Sequence, residues 1–232
     1  GFPLAGVKVT VLNHPEFGRT HSRDDGMFDL AVNGGSLLTV RYQKDGFLPV
    51  QRHVDAPWQD YAWLPDVVMI PLDSQTTPID LTAPTTQVAQ GSLVTDMDGD
   101  RRATLLFPPG TTATVGGQSL SDLTVRATEY TVGSEGPSTM PAELPPTSGY
   151  TYAVELSADE AGPSLAMVQF NQPIPLYVEN FLDFPVGGIV PVGYYDRRQG
   201  QWIPSENGRI IQLLSVTDGL ADLDVDGTGV AD

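Results

Sequence analysis

The residues best spaced for chemistry lie near the end of the chain: Asp222, Asp224 and Asp226, followed by Gly227 and Thr228. Carboxylates at alternate positions of a tight loop converge, glycine permits the sharp turn, and the next residue adds an oxygen. That is the donor set a hard cation takes. Calcium is therefore the expected cofactor, with Asp222, Asp224, Asp226 and Thr228 as ligands. A complete twelve-position loop would call for a bidentate Glu at position 233, and Asp232 falls one place short of it. An acidic, flexible interdomain tail is the competing expectation. Asp96, Asp98 and Asp100 form a poorer version, with Arg101 where the loop would need glycine. A polar turn with Gly99 at its apex accounts for them more simply.

The second candidate is aromatic. Trp58, Tyr61 and Trp63 cluster between Pro57 and Pro65. Such side chains stack on sugar rings, anchor a neighbouring domain, or cover the open end of a sandwich. The expected partners are therefore other domains of a parent protein, a glycan or a protein surface. His14, His21 and His53 would need to converge within about 2.1 Å of one metal to hold zinc, and surface positions are expected instead.

No G-x-S-x-G elbow is present and every histidine precedes residue 54. The glycine pairs at 34–35, 116–117 and 187–188 open no helix after a strand, so no phosphate cradle is expected. With 29 acidic residues some carboxylate pair will always exist, which carries no weight for glycoside hydrolysis. No catalytic residues are assigned.

The formal charge of −17 comes from 29 acidic against 12 basic residues. That field repels phosphate backbones and anionic membranes, leaving cations, basic partners and neutral sugars. Cysteine is absent, which excludes thiolate chemistry and disulfides but not secretion. No apolar run approaches the ~20 residues that span a bilayer, so membrane insertion is not expected. Gly1-Phe2-Pro3-Leu4-Ala5-Gly6 has neither the basic nor the apolar region of a signal peptide. It reads as a turn into a strand, as though a first strand were cut from an internal fragment.

The positioning elements are β-strands. With 24 Gly and 20 Pro, turns are frequent and long helices are not expected. Residues 7–11 alternate apolar and polar at period two. Further strands are expected at 20–22, 27–32, 37–42, 47–54 and 67–72, the spacing of a small sandwich. Residues 74–92, rich in Thr and Pro, read as a linker. Strands follow at 103–107, 123–130, 150–156, 165–170, 174–178, 189–195 and 208–213, with a long exposed loop at 134–148. The expected fold is all-β, with tandem β-sandwich domains of immunoglobulin-like or transthyretin-like type. The divisions are 1–73, the 74–92 linker, 93–215 and an acidic tail at 216–232.

Pro3-Leu4-Ala5-Gly6-Val7-x-Val9, then Thr20-x-Ser22-x-Asp24-Asp25-Gly26-x-Phe28, resembles the transthyretin-like, carboxypeptidase-regulatory-like module. Asn33-Gly34-Gly35, Arg41-Tyr42 and Pro57-Trp58 bring it closer to the transthyretin-like domain of teneurins and of bacterial YD-repeat (Rhs-like) proteins. The resemblance covers residues 1 to about 73. It implies a non-catalytic module of a large secreted or surface bacterial protein, packed against or capping a β-shell. The Leu105-to-Thr111 stretch and the strands after it resemble ZU5-type sandwiches, without the His-Phe-Ser step at which some of those cleave themselves. The Asp222–Asp226 spacing is similar to the calcium-binding repeats of thrombospondin type 3. A carbohydrate-binding or adhesive module, or an accessory domain of an extracellular enzyme, is the alternative.

Overall fold

The computed structural model describes residues 2–130, 136–162 and 166–232, which are almost entirely antiparallel β. The first unit is a four-stranded sheet of β1 (Lys8–Val11), β2 (Thr20–His21), β3 (Ser36–Gln43) and β4 (Val50–Ala56), in the order β2-β1-β3-β4. The period-two pattern sorts its faces. Val9, Val11, Leu38, Val40 and Tyr42 are buried, while Lys8, Thr10, Thr39, Arg41 and Gln43 lie on the opposite face. Each buried Val or Leu contributes about 1.5–3 kcal/mol.

Two expected strands take another form. Phe28, Leu30 and Val32 do pack on this core, with the Phe28 ring edge-on to Tyr42 at 5.7 Å. Yet residues 27–32 join no ladder. Residues 67–72 pack Val67, Met69 and Ile70 inward with only an isolated bridge from Phe47 to Pro71. Alternation reports which side is buried, not whether a neighbouring backbone is in register to pair.

The second unit begins earlier than the Thr and Pro content suggested. Residues 74–92 carry β5 (Thr77–Asp80) and β6 (Gln87–Gln90). These are followed by β7 (Val94–Asp96), β8 (Gly99–Arg101), β9 (Ala103–Phe107), β10 (Ala113–Val115) and β11 (Gln118–Leu120). Then come β12 (Asp122–Glu129), β13 (Val154–Ala158), β14 (Val168–Phe170) and β15 (Leu176–Val178). Two sheets, β13-β12-β5 and β15-β9-β6, enclose a core of Ile79, Ala89, Leu105, Phe107, Leu123 and Val125. The supposed linker thus supplies Ile79, opposite Leu123, and Ala89, opposite Leu105. Short strands with single inward residues leave too little periodicity to be seen in the sequence.

The region read as an exposed loop also differs. Residues 131–135 lie outside the described residues, but Met140, Pro141 and Ala142 are buried after a single helical turn at Gly136–Thr139. Leu165 likewise lies outside them. Beyond the sandwich come β16 (Ile189–Val190), β17 (Gly193–Asp196), β18 (Gln201–Pro204), β19 (Gly208–Arg209), β20 (Gln212–Thr217) and β21 (Leu220–Asp224). They pair as two-stranded units, and β20–β21 runs across the expected boundary at 215–216. Every residue of β20 is exposed. No helix among the described residues is long and apolar enough to cross a membrane.

Candidate functional site

The aspartate loop is built by the hairpin before it. β21 delivers Asp224, almost fully buried, to a turn that folds its own backbone donors onto the carboxylate. Asp224 Oδ1 accepts N–H bonds from Asp226 (3.1 Å) and Gly227 (2.7 Å), and Oδ2 accepts one from Gly229 (2.7 Å). Burial pulls its acidity toward the neutral form, and the backbone donors of Gly229, Gly227 and Asp226 outweigh it, holding the carboxyl below its usual range. Gly227 has φ +84° and sits against the Val186 carbonyl, where a Cβ would stand 2.9 Å away.

The structure groups the acids differently from their spacing. Ligand oxygens of Asp224, Asp226 and Asp232 lie within 4.8 Å of one another. Asp222 is outside that group: its carboxylate takes the Ser215 hydroxyl across the hairpin. Thr228 contributes its N–H to Asp226 at 3.0 Å. Asp232, one place off the linear register, is brought in by the chain folding back. Its N–H bonds the Leu223 carbonyl at 2.9 Å and its Oδ2 accepts from Val225 at 2.7 Å. Three clustered carboxyl groups and free lone pairs are chemically suited to a hard cation.

The Asp96–Asp100 candidate closes the β7–β8 hairpin, with Met97 and Asp98 at the apex and Gly99 at φ +120° just after it. Both Asp96 oxygens are committed to Arg101, at 2.9 and 2.8 Å. His14 bonds Glu16 at 2.8 Å and stacks on Phe17, and no three-ligand group among the described residues contains a histidine.

Trp58, Tyr61 and Trp63 are 70%, 86% and 83% exposed. None of the three joins a core cluster among the described residues, whereas Leu64, Val67 and Met69 just after them pack on the first core. Among the described residues no ring contact joins the three. Their loop is anchored at Gly34, where a Cβ would collide with the Pro57 carbonyl at 2.0 Å.

The feature that sequence reasoning missed is the junction of the two units. Leu48, fully buried two residues before β4, packs with Tyr130 and Met140, and Ile70, Leu144, Tyr150 and Trp202 close around them. The buried Gln51 donates through Nε2 to the Arg197 carbonyl (2.9 Å) and accepts from the Tyr195 hydroxyl (2.7 Å). Its backbone N–H reaches the Pro141 carbonyl at 2.7 Å. Arg52 donates to the Ser138 and Met140 carbonyls at 2.8 and 3.1 Å. Trp202 Nε1 donates to the Glu143 carbonyl at 2.9 Å. Beneath this, Arg197 pairs with Glu155 at 2.9 and 2.5 Å, and Tyr130 donates to Glu155 at 3.1 Å. Burial works against the Arg197 charge, but Glu155 more than offsets it and raises the guanidinium above its ordinary value. Burial also pushes the Tyr195 hydroxyl up to about 12. The polar residues of β4 (Gln51-Arg52) were the available signal, since buried polar side chains demand partners.

Comparison with known proteins bears on the first unit. Residues 1–69 match the family model described as "Teneurin TTR-like domain". Over 69 residues, 30% of this chain, it is 42% identical to Teneurin-3 of Mus musculus and 42% identical to Teneurin-m of Drosophila melanogaster. It is 41% identical to Teneurin-3 of Danio rerio. The aligned stretch makes up only 2–3% of the length of the two Teneurin-3 relatives. Residues 1–69 are thus a teneurin-type transthyretin-like module, homologous to that segment of the teneurins, at the head of an otherwise all-β chain.

Proposed function

We propose that the chain is a non-catalytic structural and interaction module of a large secreted or cell-surface protein of YD-repeat type, in which it packs against or caps the β-shell. The observation that carries this reading is the junction: a buried apolar cluster and the hydrogen bonds of Gln51 and Arg52 across it make the two units one rigid spacer. The transthyretin-like match supports the module type. The exposed β20–β21 hairpin, with Leu213, Val216 and Leu220 uncovered, supplies a surface for the neighbouring domain. Leu213→Asp/Leu220→Asp is expected to abolish co-purification of the chain with the separately expressed YD-repeat part of its parent. Unchanged co-purification sinks this reading.

A second reading, a glycan or adhesive platform, is favoured by the exposure of Trp58, Tyr61 and Trp63. Trp58→Ala/Trp63→Ala is expected to leave stability within about 0.5 kcal/mol, as for exposed positions without special partners. Binding to a neutral-oligosaccharide array should disappear with the same change; an array silent for the unaltered chain rejects the platform.

The Asp224, Asp226 and Asp232 group is proposed as a calcium site. Millimolar calcium should raise the unfolding midpoint by linkage, and Asp226→Asn/Asp232→Asn should erase that rise while leaving Asp224 and its backbone bonds intact. A midpoint indifferent to calcium leaves the loop as a turn held by Asp224 alone.

A further inference from the structure

The outer face of the first sheet meets the second unit at Gln51 and Thr39, and beside that contact it carries a charge pattern opposite to that of the whole molecule. A depression of about 580 Å³ is lined by Gly6, Lys8, His21, Arg41, Lys44 and Asp45, with Gln43 on its floor. These residues meet because of strand register rather than sequence proximity. Lys8 on β1 stands directly opposite His21 on β2 and Gln43 on β3, and Arg41 shares that face two residues from Gln43. Lys44 reaches over the rim, its Nζ donating to the Ala5 carbonyl at 2.8 Å. In a chain of net charge −17 both lysines are found here, Lys8 and Lys44.

The cations are not used up by the protein. No ion pair among the described residues engages Lys8, Arg41 or Lys44. Arg41 Nε is buried without a hydrogen-bond partner. Buried charged donors left unpaired are costly, and this one has Arg197 as a like-charged neighbour. Burial first, and Arg197 second, lower the Arg41 guanidinium from its ordinary value. The exposed carboxylate of Asp45 at the rim is the one acidic group of the lining. A bound anion would offset the mutual repulsion of the cluster, to which Arg41 contributes from the lining.

We propose that this depression binds a tetrahedral oxyanion, a phosphate or sulfate group of a small molecule, held by Arg41, Lys8, Lys44 and His21. A guanidinium and two ammonium groups, none of them in an ion pair among the described residues, suit a compact dianion better than a single carboxylate. The site is independent of the capping role proposed above and of the aspartate loop.

The test is a titration of the chain at constant ionic strength and neutral pH with inorganic phosphate, with N-acetylglucosamine 6-phosphate and with acetate, following backbone amide resonances. Saturable shifts are expected at Gly6, Lys8, His21 and Gln43, with Leu123 and Asp224 unmoved. Arg41→Gln should weaken phosphate binding about tenfold or more, the effect of losing a charge-assisted bond. Lys8→Gln, on the solvent face, should do likewise and carries the test if Arg41→Gln fails to fold. Equal affinity for the two oxyanions supports a free ion as the ligand, and tighter binding of the phosphorylated sugar supports an ester. The proposal is overturned if no shift saturates, if both variants titrate like the parent, or if acetate binds as tightly as phosphate.

Discussion

Arg197→Ala is expected to destabilise the chain by about 3–5 kcal/mol and to give two unfolding transitions where the joined units of the unaltered chain are expected to give one. Glu155 would be left buried without its cation, and the Tyr130 hydroxyl would lose one of its two partners. The same turn carries the Arg197 carbonyl that receives Gln51, and the tip at Gly200 presses on Leu12 and Thr39 of the first unit. Loosening it therefore uncouples the units as well as weakening one of them. Replacing both partners by apolar residues of similar volume, Arg197→Met/Glu155→Leu, should recover most of the loss, because neither charge then remains buried alone. Calorimetry of the two variants decides the matter. A single unshifted transition in Arg197→Ala would mean that the apolar cluster around Leu48 holds the junction unaided.

The second large effect is expected at Arg101, whose side chain is 1% exposed. It holds both Asp96 oxygens and Glu129 Oε1 and lies 4.6 Å from the centre of the Phe181 ring. Arg101→Met should cost about 3–5 kcal/mol in urea unfolding, since Glu129 would stay buried and unpaired. Arg101→Lys should recover only part, lacking the fork that matches Asp96.

The two acids respond oppositely to pH. The Arg101 hydrogen bonds hold Asp96 down at about 2, whereas burial raises Glu129 against the pull of the same arginine. A depressed carboxyl contributes stability above its unfolded pKa of about 4, lost as pH falls through its folded value. Protonating Glu129 works the other way, relieving a buried charge. Stability should thus fall between about pH 4 and pH 2, and Asp96→Asn should flatten that limb. An acid limb of the same steepness in Asp96→Asn would show that other depressed carboxyls, such as Asp73 and Asp159, govern it.

The all-β class and the first unit were legible because their residues obey one local rule. Val7-Lys8-Val9-Thr10-Val11 alternates at period two, and that alternation becomes β1 with Val9 and Val11 in the core. The glycine at position 26, at φ +81°, closes the turn expected of Asp24-Asp25-Gly26. The sequence also placed Trp58, Tyr61 and Trp63 in one loop and the carboxylates Asp224 and Asp226 in another. Their residue types alone define what each could bind.

Pairing, by contrast, was decided only in three dimensions. β5 and β6 fall in a stretch that reads as a linker, because a strand of four residues with one buried side chain has no periodicity to display. Residues 27–32 show the converse: burial that alternates at period two, with Phe28, Leu30 and Val32 inward, and no partner strand in register. Asp232 joins Asp224 and Asp226 through a chain reversal, which spacing counted along a single loop cannot register. The cation cluster at Lys8, His21, Arg41 and Lys44 and the Gln51–Tyr195 and Glu155–Arg197 contacts join residues up to 144 positions apart. Composition and local pattern determine which surfaces a chain wishes to bury and which side chains it carries outward. Which buried polar group meets which partner depends on strand register and on the angle between units, and those are properties of the whole packed chain.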